Sequence, residues 1–345
     1  MFGRHVLRRP AFIFSVSSFE TQLSPAKTLD LLNLFPPPAV LVSAYDVLQI
    51  RDASPDVSPG PETLKALERS GAALFLDSGN YEAYRFQDQF WQRSPWLLKE
   101  ASSRLNWDVV FSHDRIIDVP TATECKAADL ARLIVQDAER DEYAIGKGRI
   151  APIVHAPRLP DKTFVSQLLP GLCAAVARTR KPPLLAVPER ELGDGLIERA
   201  RRVRSIRRAL DKTGYHQPLH LLGTGNPLSL LVLAQAGADM FDGLEWCRTV
   251  VDADTMRLHH FHHSDFFLKQ RNRITDQKLV EYMASETEVL THKAKAILQN
   301  LYFFRTFIEE LQDAFQRGGV KDLFDQYLPG EYGRVVKALD VDEAK

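Results

Sequence analysis

Two short stretches far apart in the chain, Leu76-Asp77-Ser78-Gly79-Asn80-Tyr81 and Asp239-Met240-Phe241-Asp242-Gly243, each run an apolar strand straight into a carboxylate. An acid at one strand end is usually structural, but acids at successive strand ends describe a site assembled on the carboxyl edge of an α/β barrel. The further strand ends carry Asp114, His155, Glu189, and Gly223 with Gly225. For any one of these the competing reading is a helix cap or a solvated loop acid. As a set they predict an active-site ring. Two carboxylates facing one another across a cavity suit chemistry at an anomeric carbon, where one attacks an oxocarbenium-like centre and the other handles the proton. Glycoside hydrolysis and glycosyl exchange both meet that description.

The elements that must position these groups alternate. Apolar runs at residues 40–43, 73–76, 108–111, 150–154, 184–187, 219–222 and 239–241 predict seven strands, and an eighth is placed near 256–261. Parallel strands buried on both faces read as continuous apolar runs, as these do. Amphipathic helices are predicted at 62–70, 123–140, 196–212 and 228–236, the last started by Asn226 as N-cap and Pro227 at the first helical position. A long helix over 286–317 follows, with Val289, Ile297, Leu301, Phe304, Ile308 and Leu311 on its apolar face. Pro, Ser and Gly between 55 and 61 predict a surface loop, as does Lys181-Pro182-Pro183, and 340–343 is a short acidic tail. The predicted fold is therefore α/β, a TIM (β/α)8 barrel with insertions and a C-terminal helical segment. Residues 1–285 form the catalytic barrel, and 286–345 form helices packed on it. A doubly wound sheet would show an early glycine-rich phosphate loop, and there is none. Gly223-Thr224-Gly225-Asn226 comes late, where phosphate binding and a tight turn at the substrate both remain open.

A length of 345 residues, 45% hydrophobic and 26% charged, accommodates one decorated barrel. Cys125, Cys173 and Cys247 are odd in number and widely separated, which predicts neither a disulfide framework nor a paired-cysteine zinc knuckle and places the protein in a reducing cytoplasm. The opening is basic, but only a short apolar run follows at 11–16, with Glu20 soon after, so neither a secretory signal nor a membrane span is predicted. A net charge of -1 argues against indiscriminate nucleic-acid binding without excluding local patches.

These residues resemble the queuine and archaeosine tRNA-guanine transglycosylases and their DNA-modifying relatives. Asp77-Ser78-Gly79-Asn80-Tyr81 is similar to the family's Asp-Ser-Gly-Gly-Phe, and Gly237-Ala238-Asp239-Met240-Phe241-Asp242 to its Gly-Val-Asp-Met-Phe-Asp, followed here by Arg248. Leu185-Ala186-Val187-Pro188-Glu189 resembles Leu-Ala-Val-Gly-Glu, and Leu222-Gly223-Thr224-Gly225-Asn226-Pro227 resembles Met-Gly-Val-Gly-Thr-Pro. Asp108-Val109-Val110 running on to Asp114 fits the strand bearing a base-reading aspartate, and Gln299-Asn300-Leu301 resembles the terminal His-Asn-Leu helix. The resemblance implies exchange of guanine for a 7-deazaguanine in tRNA or DNA. Asp242 would be the nucleophile at C1′ and Asp77 the acid/base. Asp114 would accept from the base edge, within a binding set that also holds Ser78, Gly79, Asn80, His155, Glu189, Gly223 and Arg248. Tyr81 and Leu222 would sandwich the ring, whose nucleotide must leave its stack. It also implies a homodimer and no redox or nucleotide cofactor.

Departures from the pattern are specific. Asn80, Leu184 and Pro188 replace glycines and His155 stands where glutamine is typical, which predicts a changed base preference. The family's Cys-x-Cys-x-x-Cys and histidine zinc cluster is absent, so a structural zinc of that kind is not expected. In its place Leu258-His259-His260-Phe261-His262-His263-Ser264-Asp265 predicts polar pocket lining or phosphate contact rather than a metal site. Lys269, Arg271 and Arg273 just beyond are the predicted nucleic-acid contacts. The arginines between 199 and 208, with Lys212, read equally as a phosphate track or a solvated helix face. The rival functions are a non-catalytic transglycosylase-like subunit or RNA-binding scaffold, and a nucleoside or glycoside hydrolase using the same acids.

Overall fold

Eight parallel strands make the frame: β1 (Ala11–Val16), β2 (Ala39–Ser43), β3 (Ala73–Asp77), β4 (Val109–Phe111), β5 (Ile150–Ala151), β6 (Leu185–Pro188), β7 (Leu219–Leu222) and β8 (Met240–Gly243). They are taken from a computed structural model that describes residues 5–49, 61–122, 126–285 and 291–340. The sheet runs β5-β4-β3-β2-β1-β8-β7-β6. A parallel bridge between Ile153 and Ala186 joins its two ends, with Val154 N donating to Ala186 O at 2.8 Å. The predicted α/β barrel with a C-terminal helical segment is the observed fold.

One predicted strand is corrected. The eighth barrel strand is β1, between β2 and β8, where Phe14 pairs with Val40 and Ile13 with Asp242. Residues near 256–261 do form a strand, β10 (Arg257–His260), but it pairs antiparallel with β9 (Thr249–Asp252) in a separate ribbon. The physical difference is burial. All six residues of β1 are buried, as a barrel strand requires, whereas Arg257 and His260 at the ends of β10 are exposed.

Strand alternation decides what the barrel interior contains. Ala11, Ile13, Leu41, Phe75, Phe111, Ala186 and Met240 fill one core cluster inside the barrel, while Phe12, Val40, Leu74, Val110, Val187 and Phe241 face the helices. Continuing the inward parity upward puts Ser15, Ser43, Asp77, Leu222 and Asp242 at the carboxyl end of the interior, with His220 one level down on β7. Three inter-strand steps of about 4.8 Å separate β3 from β8 along the wall, and inward projection brings their acids back toward one another.

The helices start and stop where local chemistry allows. Asn226 caps Pro227–Ala236 by accepting from Leu228 N and Ser229 N. The helix predicted at 123–140 runs over Ala127–Ile145; residues 123–125, with Cys125, lie outside the described residues, as do most of the predicted 55–61 loop, 286–290 and 341–343. The long helix spans His292–Arg317, from the Thr291 cap to Gly318. It lies along β1: Phe304 stacks on Phe12 at 5.1 Å and Gln312 donates to Pro10 O at 2.8 Å. Among the described residues no helix is long and apolar enough to cross a membrane.

Candidate active site at the carboxyl edge of the barrel

Asp242 sits on β8 with both oxygens engaged as acceptors. Ser15 Oγ donates to Oδ2 at 2.8 Å, while His220 Nε2 at 2.8 Å and Gly223 N at 3.2 Å meet Oδ1. The donors come from β1, β7 and the turn after β7, so the acid is aimed by three separate elements.

Asp77, at the end of β3, is treated oppositely. Its Oδ2 accepts from the Gly79 N–H at 3.0 Å. Burial, followed by the charges of Glu82, Asp114 and Asp242, drives its pKa well above the usual carboxylate range despite that bond. Asp242 is thus within electrostatic reach of Asp77. The turn that places Asp77 depends on Gly79, whose φ of +82° is left-handed and whose missing Cβ would meet Tyr45 N at 2.7 Å and the Trp91 ring at 2.6 Å.

Glu82 and Asp46 form a buried acid pair that sequence reasoning missed. Glu82 accepts from Ser17 Oγ at 2.5 Å and Ser43 Oγ at 2.7 Å, and Asp46 accepts from Ser18 N at 2.8 Å. Burial and the charge of Glu82 push Asp46 up to about 8. Burial raises Glu82 as well, against the two serines and Arg248.

Asp114, His155 and Glu191 form a charged chain across the next strand ends. His155 Nε2 lies 2.7 Å from Asp114 Oδ2, and Nδ1 lies 2.7 Å from Glu191 Oε1. Burial opposes the charged imidazole, yet Glu191 and Asp114 together raise His155 to about 10, so both ring nitrogens donate. Burial likewise works to raise Asp114, but His155, Ser78 and Asn80 hold it far below the ordinary range. Glu189 is turned away to Arg199 at 2.9 Å, and Glu191, two residues on, is the acid that reaches His155. The short 3-10 turn Glu189–Glu191 makes that choice, which strand-end counting does not foresee.

The base-edge residues also meet. Ser78 Oγ and Asn80 Nδ2 each donate to Asp114 Oδ1 at 2.7 Å, and Asn80 Nδ2 also reaches Asp114 O at 2.8 Å. Asn80 Oδ1 is left buried without a hydrogen-bond partner. Two acceptors around Nδ2 fix the amide orientation, so the open end is the carbonyl oxygen. Arg248 Nη2 donates to Tyr81 Oη at 3.1 Å and Phe19 O at 2.9 Å, tying Tyr81 to the segment after β1. Leu222 is half-buried at the top of the interior cluster.

No family model and no curated protein matches the chain. The site's own geometry therefore carries the functional argument.

Another acid, Glu245, lies within electrostatic reach of Asp242. Its Oε2 is buried without a partner, and a Cβ on Gly225 would fall 1.8 Å from it and one on Gly243 2.5 Å from it. Burial raises the pKa of Glu245, with Asp242 and Glu189 adding to the effect against Arg248. Asn300 in turn fastens the segment after β8, donating to Trp246 O at 2.8 Å and Thr249 O at 2.6 Å and accepting from Val251 N.

The predicted basic contacts divide. Lys269 is exposed, Arg273 pairs with Asp254, and Arg271 is half-buried with Nε and Nη2 unpartnered. His260, His262 and His263 cluster with ring centroids 4.2 and 4.3 Å apart along the series. Among the described residues no group of three or more His, Cys, Asp or Glu could hold a metal ion. The arginine-rich helix Leu196–Asp211 does internal work. Arg207 donates to Gly237 O, Gln217 O and Asp239, Arg204 to Gln235 O, and Arg201 and Arg208 to the carbonyls of Ala338 and Leu339.

Proposed function

We propose that this protein exchanges a purine base in nucleic acid, releasing guanine and installing a 7-deazaguanine through a covalent link between Asp242 and ribose C1′. The observation that carries the reading is the opposed treatment of two convergent carboxylates: Asp77 is driven toward its protonated form, whereas Asp242 is held as an acceptor at both oxygens. An acid kept protonated beside a carboxylate positioned by hydrogen-bond donors supplies a proton donor and a nucleophile. In the first step an Asp242 oxygen forms a bond to C1′ as the C1′–N9 bond breaks, and the Asp77 proton passes to the departing base. In the second step the incoming base gives its N–H proton to the Asp77 carboxylate and bonds to C1′, and the C1′–Asp242 bond breaks.

The base edge fits the same reading. A guanine edge offers two adjacent donors, N1–H and the exocyclic amine. Asn80 Oδ1 is an unpartnered acceptor, and Asp114, with three donors already placed on its two oxygens, retains lone-pair capacity beside it. Tyr81 and Leu222 then bracket the ring. The scaffold reading is disfavoured because a binding module has no use for a raised acid facing a positioned nucleophile.

The test is incubation with radiolabelled guanine and either tRNA or duplex DNA, followed by a denaturing gel. Label entering one polymer supports exchange. Release of base without incorporation assigns hydrolysis instead, and neither outcome together with tight RNA binding assigns the scaffold.

A further inference from the structure

The segment after the Asp77 turn carries a surface that the chemistry above does not use. Of the ten exposed large apolar side chains among the described residues, four fall between 84 and 96: Tyr84, Phe86, Phe90 and Trp96, each 47–67% exposed. Loose aromatic exposure of this density costs solvation unless a partner covers it. Basic residues are interleaved with them. Arg85, Arg93 and Lys99 are exposed, and none makes an ion pair with another described residue, whereas Glu82 in the same stretch is buried.

The near end of the strip, Arg85 and Phe86, is continuous with the site. Phe19 meets Tyr81 edge-on at 6.0 Å and Phe86 edge-on at 5.5 Å. Phe86 stacks on Tyr45 at 5.8 Å with an interplanar angle of 21°. The Arg85 guanidinium lies 5.3 Å from the ring centroids of both Phe19 and Tyr81. A nucleotide polymer reacting at Asp242 has to leave the barrel mouth past its rim, and this rim offers π-faces alternating with unneutralised cations. A hydrocarbon surface would gain nothing from the cations, and a matching copy of the chain would set cation against cation. Bases stacked on aromatic side chains with phosphates on arginines satisfy both. RNA loops present such bases already unstacked, whereas duplex DNA would first have to be opened.

Resting on the proposed function, we infer that the Phe19–Arg85–Phe86 surface, extended by Phe90, Arg93 and Trp96, is a stacking platform for unpaired RNA nucleotides flanking the one that reacts.

Fluorescence anisotropy tests this with the full chain and three labelled 12-mers: mixed-sequence RNA, the same sequence as single-stranded DNA, and an RNA backbone of equal length lacking bases. The wild type is expected to bind the RNA at least about tenfold more tightly than the baseless strand, the value of roughly one stacked base. Trp96→Ala and Phe90→Ala, at exposed positions where folding is not at stake, should each remove most of that difference. Arg93→Ala should weaken both strands and flatten the salt dependence. Equal affinity for the baseless strand, unchanged affinity in both aromatic variants, or tighter binding of the DNA strand would overturn the platform. So would sedimentation showing a wild-type dimer that Trp96→Ala splits. Binding needs no chemistry, so failure here leaves base exchange standing, and a chain that discriminates bases without exchanging them loses only the proposed reaction.

Discussion

His220 and Asp242 meet inside the barrel, Nε2 to Oδ1 at 2.8 Å, with the imidazole fully buried and edge-on to Phe111 at 5.4 Å. His220 donates from Nε2 in the tautomer that leaves its unpartnered Nδ1 a lone pair rather than a stranded N–H. The bond aims Asp242 from below while Ser15 and Gly223 aim it from the sides. His220→Phe keeps a ring against Phe111 and removes one donor. A hydrogen bond to a charged group contributes about 1.5–3 kcal/mol, so the single-turnover rate of covalent adduct formation should fall roughly 10- to 100-fold. Quantifying the adduct on a denaturing gel checks this, and an unchanged rate would mean that His220 is only a filler of the interior.

Glu82 contributes to holding Asp77 protonated. Removing its charge in Glu82→Gln lowers the Asp77 pKa, so a rate that requires the protonated acid will be lost at a lower pH than in the wild type. The expected result is an alkaline limb of the kcat/KM profile displaced downward in pH, with activity below the limb largely retained. A limb that stays in place, or moves upward, would remove Asp77 from the role of proton donor.

The Asp114–His155–Glu191 chain predicts how stability varies with pH. His155 has a folded pKa of about 10 against about 6.5 in an unfolded chain, so its contribution is complete below about 6.5 and disappears as pH rises through about 10. Asp114 is shifted the other way, and its contribution, present above about 3.9, is lost only as pH falls through its much lower folded value. His155→Ala leaves two buried acids unpaired and should cost about 3–5 kcal/mol near neutrality. His155→Gln retains some hydrogen bonding, and its deficit against the wild type should shrink from pH 6 to pH 10.5. Urea unfolding at those two values measures it, and a deficit that grows with pH contradicts the charged chain.

Gly225 and Glu245 form a steric pair. An added methyl at Gly225 would overlap the Glu245 carboxylate, so Gly225→Ala should destabilise by about 1–3 kcal/mol and disturb the Gly223 N–H that meets Asp242. Glu245→Ala opens the space, and the double variant should recover much of the loss, with a coupling of about 0.5–3 kcal/mol in a thermodynamic cycle. Additive losses would place the strain elsewhere.

Several features could be read directly from the chain. Asp77 and Asp242 were legible because a buried parallel strand is a run of apolar residues, and the acid ending it stands out. The Asn226 cap was legible because capping chemistry is local. β1 was not, since its apolar run ends in serines rather than an acid, and nothing local says that residues 11–14 pair with 240–243 across more than two hundred positions. Glu191 was masked by Glu189 because one step around a 3-10 turn selects which acid faces inward.

The amino-acid sequence alone determined the repeating strand and helix units, the acids at their ends and the resemblance those acids carry, because hydrophobic periodicity and capping are properties of near neighbours. Tertiary structure alone decided that His220 and Ser15 hold Asp242, that the charge of Glu82 reaches Asp77, and that the arginine helix donates to backbone carbonyls. Those outcomes depend on barrel closure and on burial of one charge beside another, and both act between residues that the linear order keeps apart.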